Sequence, residues 1–265
     1  SFGDRPWELP PLDSRDSNEV MAWILKQQWC NGTIGLIGHS YSGNMAEFSL
    51  MNKNPAVKAA AILSSPFDIY SDVLRPGGIP LQPFIDNWMQ LNKDFDNDEL
   101  PRNLKMLRPL VRHMKPVDAD KDRTLLKQAV AEHKLNSALS ADKLNFRDET
   151  PFEEADLNPT KTREISKKIL MTRYGKEVET LGVDPSSPRD YWEDCDEAKV
   201  PLYMGAGWIE GSNSRAAVNR FLNYKTPGTK LILGPWEHDF CNISPVTRGG
   251  LSKFRIDREM LKFFD

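Results

Sequence analysis

Apolar and polar positions follow two periods along the chain, and the switches between them mark out its elements. Residues 17–28 (SNEVMAWILKQQ) put Val20, Trp23 and Ile24 on one face, with Ser17 placed to cap it, and predict a helix. Residues 33–37 (TIGLI) form a short apolar run and predict a buried strand. Residues 44–52 (NMAEFSLMN) then carry apolar side chains at helical spacing. A second buried strand is predicted over 56–63 (AVKAAAIL), ending in Ser64-Ser65-Pro66. Residues 1–16 and 67–80 read as loop, the latter broken by Pro76-Gly77-Gly78.

The pattern changes between residues 81 and 198. This stretch is heavily charged, poor in strand-like runs, and helical in period over 84–95 and 120–135. Strand signals return at 200–206 (VPLYMGA) and 230–233 (KLIL), with a helix expected around 213–224 between them and a closing helix over 251–264. Strands that alternate with helices imply a parallel sheet. The fold class is therefore α/β, with three segments: residues 1–80 as the first part of the sheet domain, 81–198 as an inserted helical cap, and 199–265 as the second part.

Composition adds exclusions rather than identity. With 265 residues, 35 basic and 38 acidic, the net charge is −3, so no footprint for nucleic acid is present. No apolar run is long enough to cross a bilayer, and the sequence as given opens on no signal-peptide pattern, so no membrane partner is expected. Cys30, Cys195 and Cys241 are odd in number, widely spaced and without a metal-ligand pattern. They read as free thiols, which favours a reducing, cytoplasmic compartment without fixing one.

The chemistry concentrates at Gly38-His39-Ser40-Tyr41-Ser42-Gly43, where the first strand meets its helix. A serine with small residues two positions away on each side, Gly38 and Ser42, fits a nucleophile elbow, in which the backbone turns sharply and holds the hydroxyl out. An ordinary strand-to-helix turn is the alternative. A serine hydroxyl needs a base, usually His, and the chain has four histidines. His39 adjoins Ser40, and neighbouring side chains on such a turn diverge. His113 and His133 lie in the charged helical stretch and read as surface residues. His238 follows KLILGPWE on a loop at the C-terminal end of a strand, the side on which the elbow opens. A carboxylate must orient that imidazole, in the chain order Ser, acid, His. Glu210, in GWIEG after the 200–206 strand, stands there. Asp194 and Asp196 precede the strand, and Asp239 is too near the base in sequence to aim it well.

The strings WCNGTIGLIGHSYSG, VPLYMGAGWIEG and KLILGPWEHDF resemble the cocaine-esterase and X-prolyl dipeptidyl-peptidase family of α/β-hydrolases, which also holds α-amino-acid ester hydrolases and glutaryl acylases. The family elbow, G-x-S-Y-x-G, fits Gly38, Ser40, Tyr41 and Gly43. Its acid lies in a G-W-Y/F-D-G-like segment and its base follows G-P-W-x-H. The resemblance implies an α/β-hydrolase fold and acyl transfer from a small ester, amide or peptide substrate to water. Ser40 would be the nucleophile, His238 the base and Glu210 the orienting acid, and the Tyr41 amide would be an oxyanion donor. Trp208 and Trp236, flanking acid and base, are candidates for substrate-pocket walls, with core packing as the alternative. No metal or organic cofactor is implied, and no oligomeric state.

Two departures follow from the same comparison. The family acid is Asp, and a glutamate's extra methylene reaches about 1.5 Å further, so either the backbone retreats or the side chain folds. The resemblance also implies strands before the elbow, one bearing a tyrosine oxyanion donor, and a β-sandwich after the closing helix. The sequence therefore reads as truncated at both ends. Two rivals stay open: a peptidase cleaving after proline, for which no anchor for the substrate's amino terminus is found, and a non-catalytic protein of the same fold.

Overall fold

The computed structural model describes residues 13–107, 109–110, 116–133, 187–240 and 254–265. Its centre is a four-stranded parallel sheet in the order β1 (Ile34–His39), β2 (Val57–Leu63), β3 (Leu202–Gly207), β4 (Lys230–Gly234). The register pairs His39 with Leu63, Leu63 with Gly205, and Gly207 with Gly234. The C-terminal ends of all four strands therefore finish along one rim, which is where loops of an open α/β sheet build sites.

Side chains on the inner strands alternate between two cores, as a period of two requires. Ala60 and Ile62 of β2 with Leu202 and Met204 of β3 join Phe48, Leu50, Phe67, Tyr191 and Ala216 on one face. Ala61, Leu63 and Tyr203 join Trp236, Phe240 and Met260 on the other. The first face is covered by α1 (Asp13–Ile24), α2 (Tyr41–Ser49) and, after the charged region, α5 (Trp192–Asp196) and α6 (Asn213–Asn223); the second is covered by α7 (Ile256–Phe264). This is the α/β-hydrolase arrangement expected from the sequence. Between β2 and β3 the described elements are all helical, with α3 (Gln82–Asp96) and α4 (Thr124–Glu132) the longest.

Several boundaries move for local reasons. Ser17 lies inside the first helix, which is described from Asp13, and its hydroxyl donates to the Ser14 carbonyl instead of capping the helix. The elbow helix begins at Tyr41, immediately after Ser40, so the turn has no loop at all. The stretch expected to be irregular contains a π-turn at Tyr70–Leu74 and a 3-10 turn at Pro76–Gly78. Asp72, on that π-turn, receives the Phe67 and Asp68 amides at 3.0 and 2.8 Å, which organises a segment without periodicity.

A buried ion pair ties α6 to α2. Arg220 of α6 is 1% exposed, and its Nε donates to both carboxylate oxygens of Glu47 on α2, at 3.1 and 3.0 Å. Its remaining donors reach the carbonyls of Ser65 and Pro66 at 3.1 and 2.8 Å. The Tyr224 hydroxyl completes Glu47 at 2.7 Å, and burial keeps that phenol protonated by pushing its pKa well above the usual value. Breaking such a pair leaves a charge buried without its partner. Arg220→Met should cost about 3–5 kcal/mol in urea unfolding, and adding Glu47→Met should recover part of that loss. An unchanged midpoint in the single variant would rule the pair out as the tie.

Candidate active site

The site is assembled on the rim, one residue per strand end. β1 ends at His39, and Ser40 turns the chain with φ 58° and ψ −125° before α2 begins. A non-glycine residue at positive φ is strained by about 1–3 kcal/mol and needs its surroundings to hold it. Those surroundings are specific. The Ser40 amide donates to the Leu63 carbonyl at 2.8 Å, and the Ser40 carbonyl receives the Gly43 amide at 2.9 Å. The Ser42 hydroxyl donates to the His39 carbonyl at 2.8 Å and accepts the His39 amide at 3.0 Å, clamping the corner from its far side. Gly38 is required by close approach: a Cβ there would lie 2.0 Å from the Ser42 carbonyl oxygen.

His238 follows β4 on the loop after Gly234, and its Nε2 lies 2.9 Å from Ser40 Oγ. Its Nδ1 lies 3.0 Å from Glu210 Oε2, in the turn after β3. The three residues selected from the sequence thus form one run of hydrogen bonds, with Nδ1–H donating to the carboxylate and Nε2 free to accept from the hydroxyl. The Glu210 side chain is 1% exposed and the His238 side chain 45%, so one edge of the imidazole faces solvent while the acid does not. The hydrogen bond donated to Glu210 is the main influence raising the His238 pKa above 6.5; burial opposes it, and the charges of Glu210 and then Asp239 add to it. The acid bonded to the ring is Glu210, and Asp239 contributes a smaller charge effect.

The longer acid is accommodated by folding its side chain back. Oε1 accepts the Gly207 amide, three residues earlier at the end of β3, at 2.5 Å, and the Ser64 hydroxyl at 2.9 Å. Ser64 follows β2, is fully buried, and holds φ 45°. Asn213, at the start of α6, places its Nδ2 3.4 Å from both Glu210 Oε2 and His238 Nδ1. The Glu210 turn is also sewn to the His238 loop, by the Trp208 amide on the Gly234 carbonyl and the Ile209 amide on the Trp236 carbonyl, at 2.8 and 3.2 Å. Gly207 permits that approach, since a Cβ there would sit 1.9 Å from the Trp236 carbonyl oxygen.

The other expected residues fare differently. Tyr41 opens α2, so its amide lies at the N-terminal end of a helix whose dipole favours negative charge. Trp208 is 61% exposed beside the acid turn. Trp236 takes the core alternative: it is 3% exposed and stacks on Phe254 at 4.3 Å, in the cluster under α7, so it does not line an open pocket. His133 caps the C-terminus of α4, and His113 lies outside the described residues. Sequence reasoning missed His39, Ser64, Asn213 and an aromatic shelf in which Tyr41, Trp88 and Phe84 stack at 6.2 and 6.0 Å. Helical spacing places Phe84 and Trp88 on one face of α3, but no local signal says that this face meets Tyr41. Cys30 and Cys195 are free thiols, Cys195 buried; Cys241 lies outside the described residues. No helix among the described residues is long and apolar enough to cross a membrane, and no group of three or more His, Cys, Asp or Glu there could hold a metal ion.

Known proteins supply an independent comparison. Residues 1–239 match the X-Pro dipeptidyl-peptidase (S15) family. A candidate serine esterase of Mycobacterium bovis is 36% identical over the whole chain, and the chain spans 42% of that relative's length; a Mycobacterium tuberculosis protein of the same description matches equally. The cocaine esterase of a Rhodococcus species is 33% identical over 67 residues, which is 25% of this chain and 12% of that enzyme. A CocE/NonD family hydrolase of Staphylococcus aureus superposes with a TM-score of 0.47 at 14% identity, covering 98% of this chain and 33% of that one.

The hydrogen bond to Glu210 carries a direct test. Titration of the His238 ring by NMR should give a midpoint above 6.5, the direction its partners impose. Glu210→Gln removes the charge that favours the imidazolium and leaves only a neutral amide oxygen as acceptor, so its midpoint should fall below that of the parent. Equal midpoints would show that the carboxylate is not what raises it.

Proposed function

The chain belongs to the X-Pro dipeptidyl-peptidase (S15) family, and from that premise we propose that it is a serine hydrolase cleaving an ester or amide bond through an acyl-enzyme. The observation that carries this reading is the hydrogen-bonded run from Ser40 Oγ through His238 to Glu210. Ser40 Oγ attacks the substrate carbonyl while His238 Nε2 takes its proton, and the imidazolium so formed is held by Glu210 through Nδ1–H. The same proton passes to the leaving alcohol or amine as the acyl-enzyme forms. Water then repeats the sequence, with His238 again as base, and releases the acid. The Tyr41 amide, next after the nucleophile, donates to the oxyanion. This chemistry calls for no metal or organic cofactor.

An ester is the favoured substrate, because the mycobacterial relatives that match the whole chain are described as candidate serine esterases. The helical segment within residues 81–198 is read as the cap over the site. Its contribution would be the aromatic shelf of Phe84 and Trp88, which stacks on Tyr41 beside the nucleophile and suits a flat or apolar acyl group. A fluorophosphonate probe should label Ser40, and a panel of acyl esters, aminoacyl esters and Xaa-Pro amides should rank the simple esters first. Faster cleavage of the Xaa-Pro amides would make this a peptidase.

Substitutions at the three residues make the mechanism specific. Ser40→Ala should leave about a thousandth of the parent's turnover or less with thermal stability retained; a larger residue of activity would exclude Ser40 as nucleophile. Glu210→Gln should cost turnover by roughly 10⁴-fold, the scale seen when a triad acid becomes an amide. Because His238 must be neutral to act as base, kcat/KM should rise with pH through a midpoint above 6.5. A rate independent of pH across that range would remove His238 from the role.

A further inference from the structure

We infer that His39, the residue before the nucleophile, is a positioning residue for the base: its ring holds the His238 loop in the place where His238 can reach both Ser40 and Glu210. The inference rests on the hydrolase reading for its kinetic consequence and on geometry alone for its structural one. His39 ends β1 with its ring half-buried, and its Nε2 lies 2.5 Å from the carbonyl oxygen of His238. A carbonyl oxygen only accepts, so Nε2 carries the proton and donates it. The ring centroids of His39 and His238 are 4.7 Å apart at 47°, and the His39 ring meets the edge of Phe240 at 6.0 Å. One imidazole therefore touches the base loop at three places: the His238 peptide, the His238 ring and the Phe240 ring.

The loop needs such a hold. It leaves β4 through Gly234-Pro235, and its tightest turn, closed by the Phe240 amide on the Glu237 carbonyl at 3.0 Å, contains His238 itself. Phe240 sits at φ 54°, a further strained position. Trp236 anchors the entry to the turn in the core, but the His238 side chain is 45% exposed and gains little from packing of its own. Its peptide orientation sets where the ring starts. The bond from His39 fixes the carbonyl of that peptide, and the backbone clamp by Ser42 on His39 fixes the donor. Ser40 and His39 thus reach the same residue from one corner of β1, Ser40 at the His238 ring and His39 at its carbonyl.

The test separates donor from packing. His39→Phe keeps a flat ring against His238 and Phe240 but cannot donate. His39→Gln offers an amide N–H at a reach similar to Nε2, whereas His39→Asn falls short of it. In the parent, the proton that His238 Nδ1 shares with Glu210 should give a far-downfield proton NMR signal, assigned by its loss in His238→Gln. That signal should weaken or broaden in His39→Phe and His39→Asn and return in His39→Gln. In ester hydrolysis, kcat should fall about tenfold or more in the Phe and Asn variants, within the ~10²-fold that an ångström of misplacement can cost. KM and thermal midpoint should hold, and the Gln variant should recover most of the rate. A parent without the signal, a Phe variant with parental signal and kcat, or a Gln variant no better than Asn would each overturn the inference. Should His39→Phe not fold, the Gln and Asn pair decides alone. A parent that neither hydrolyses esters nor takes the fluorophosphonate label would instead sink the hydrolase reading, and the NMR comparison would still decide the role of His39.

Discussion

A guanidinium with 1% exposure organises this molecule. Arg220 spends its donors on one carboxylate and two carbonyls, and those partners belong to α2 and to the loop after β2, more than 150 residues earlier in the chain. Burying the ion pair is expensive, and the gain in stability over an apolar pair of the same shape can be nil. What the pair does provide is direction. Glu47 lies two turns along the helix that Ser40 starts, and Arg220 lies two turns along the helix that follows Glu210. Fixing the two helices against each other sets the Ser40 corner against the Glu210 turn. Tyr224 and the sulfur of Cys195, which bond to Glu47 through its carboxylate and its carbonyl, make any other arrangement of the four groups worse.

With that frame in place, the rim can carry strain. Ser40, Ser64 and Phe240 all have positive φ, and they follow β1, β2 and β4 respectively. None is a glycine, so each stores energy that a loose loop would release. Ser40 is held by Leu63, Gly43 and the Ser42 clamp, and Ser64 by the Gly205 carbonyl at 2.7 Å and by Glu210. The parallel register matters here as much as the hydrogen bonds. Because neighbouring strands end level, a backbone group at the end of one is in reach of the next, and three side chains from three strand ends meet within one hydrogen-bonded run.

The elements were legible in the sequence because each is signalled locally. The AVKAAAIL and VPLYMGA runs are buried on both faces, and their continuous apolar character survives any tertiary context. Ser40, Glu210 and His238 were legible for a related reason: each sits just past such a run, and a parallel sheet brings those positions together whatever the intervening chain does. The residues that were not legible act across the sheet without a period of their own. Ser64 looked like the polar end of a strand, Asn213 like a helix start, and His39 like a neighbour pointing away. Trp236 was ambiguous between pocket and core until the chain around Gly234 turned its ring under α7, against Phe254. Trp88 and Phe84 share a face of α3, but the helix carries no mark of which surface that face meets.

The glutamate at position 210 shows how one side chain in a site depends on its neighbours. A carboxylate one methylene longer than aspartate would overshoot an imidazole placed for the shorter residue, unless its far oxygen is drawn away. Here Oε1 is drawn back by two donors, the Gly207 amide and the Ser64 hydroxyl, which leaves Oε2 facing His238 Nδ1 at 3.0 Å. The hydroxyl does this only because Ser64 adopts a left-handed backbone at the end of β2, and a buried hydroxyl without that acceptor would lose its partner in turn. Acid, serine and strand end are therefore one unit. An aspartate at 210 would have a shorter arm and would leave the Ser64 hydroxyl without this acceptor in a fully buried place.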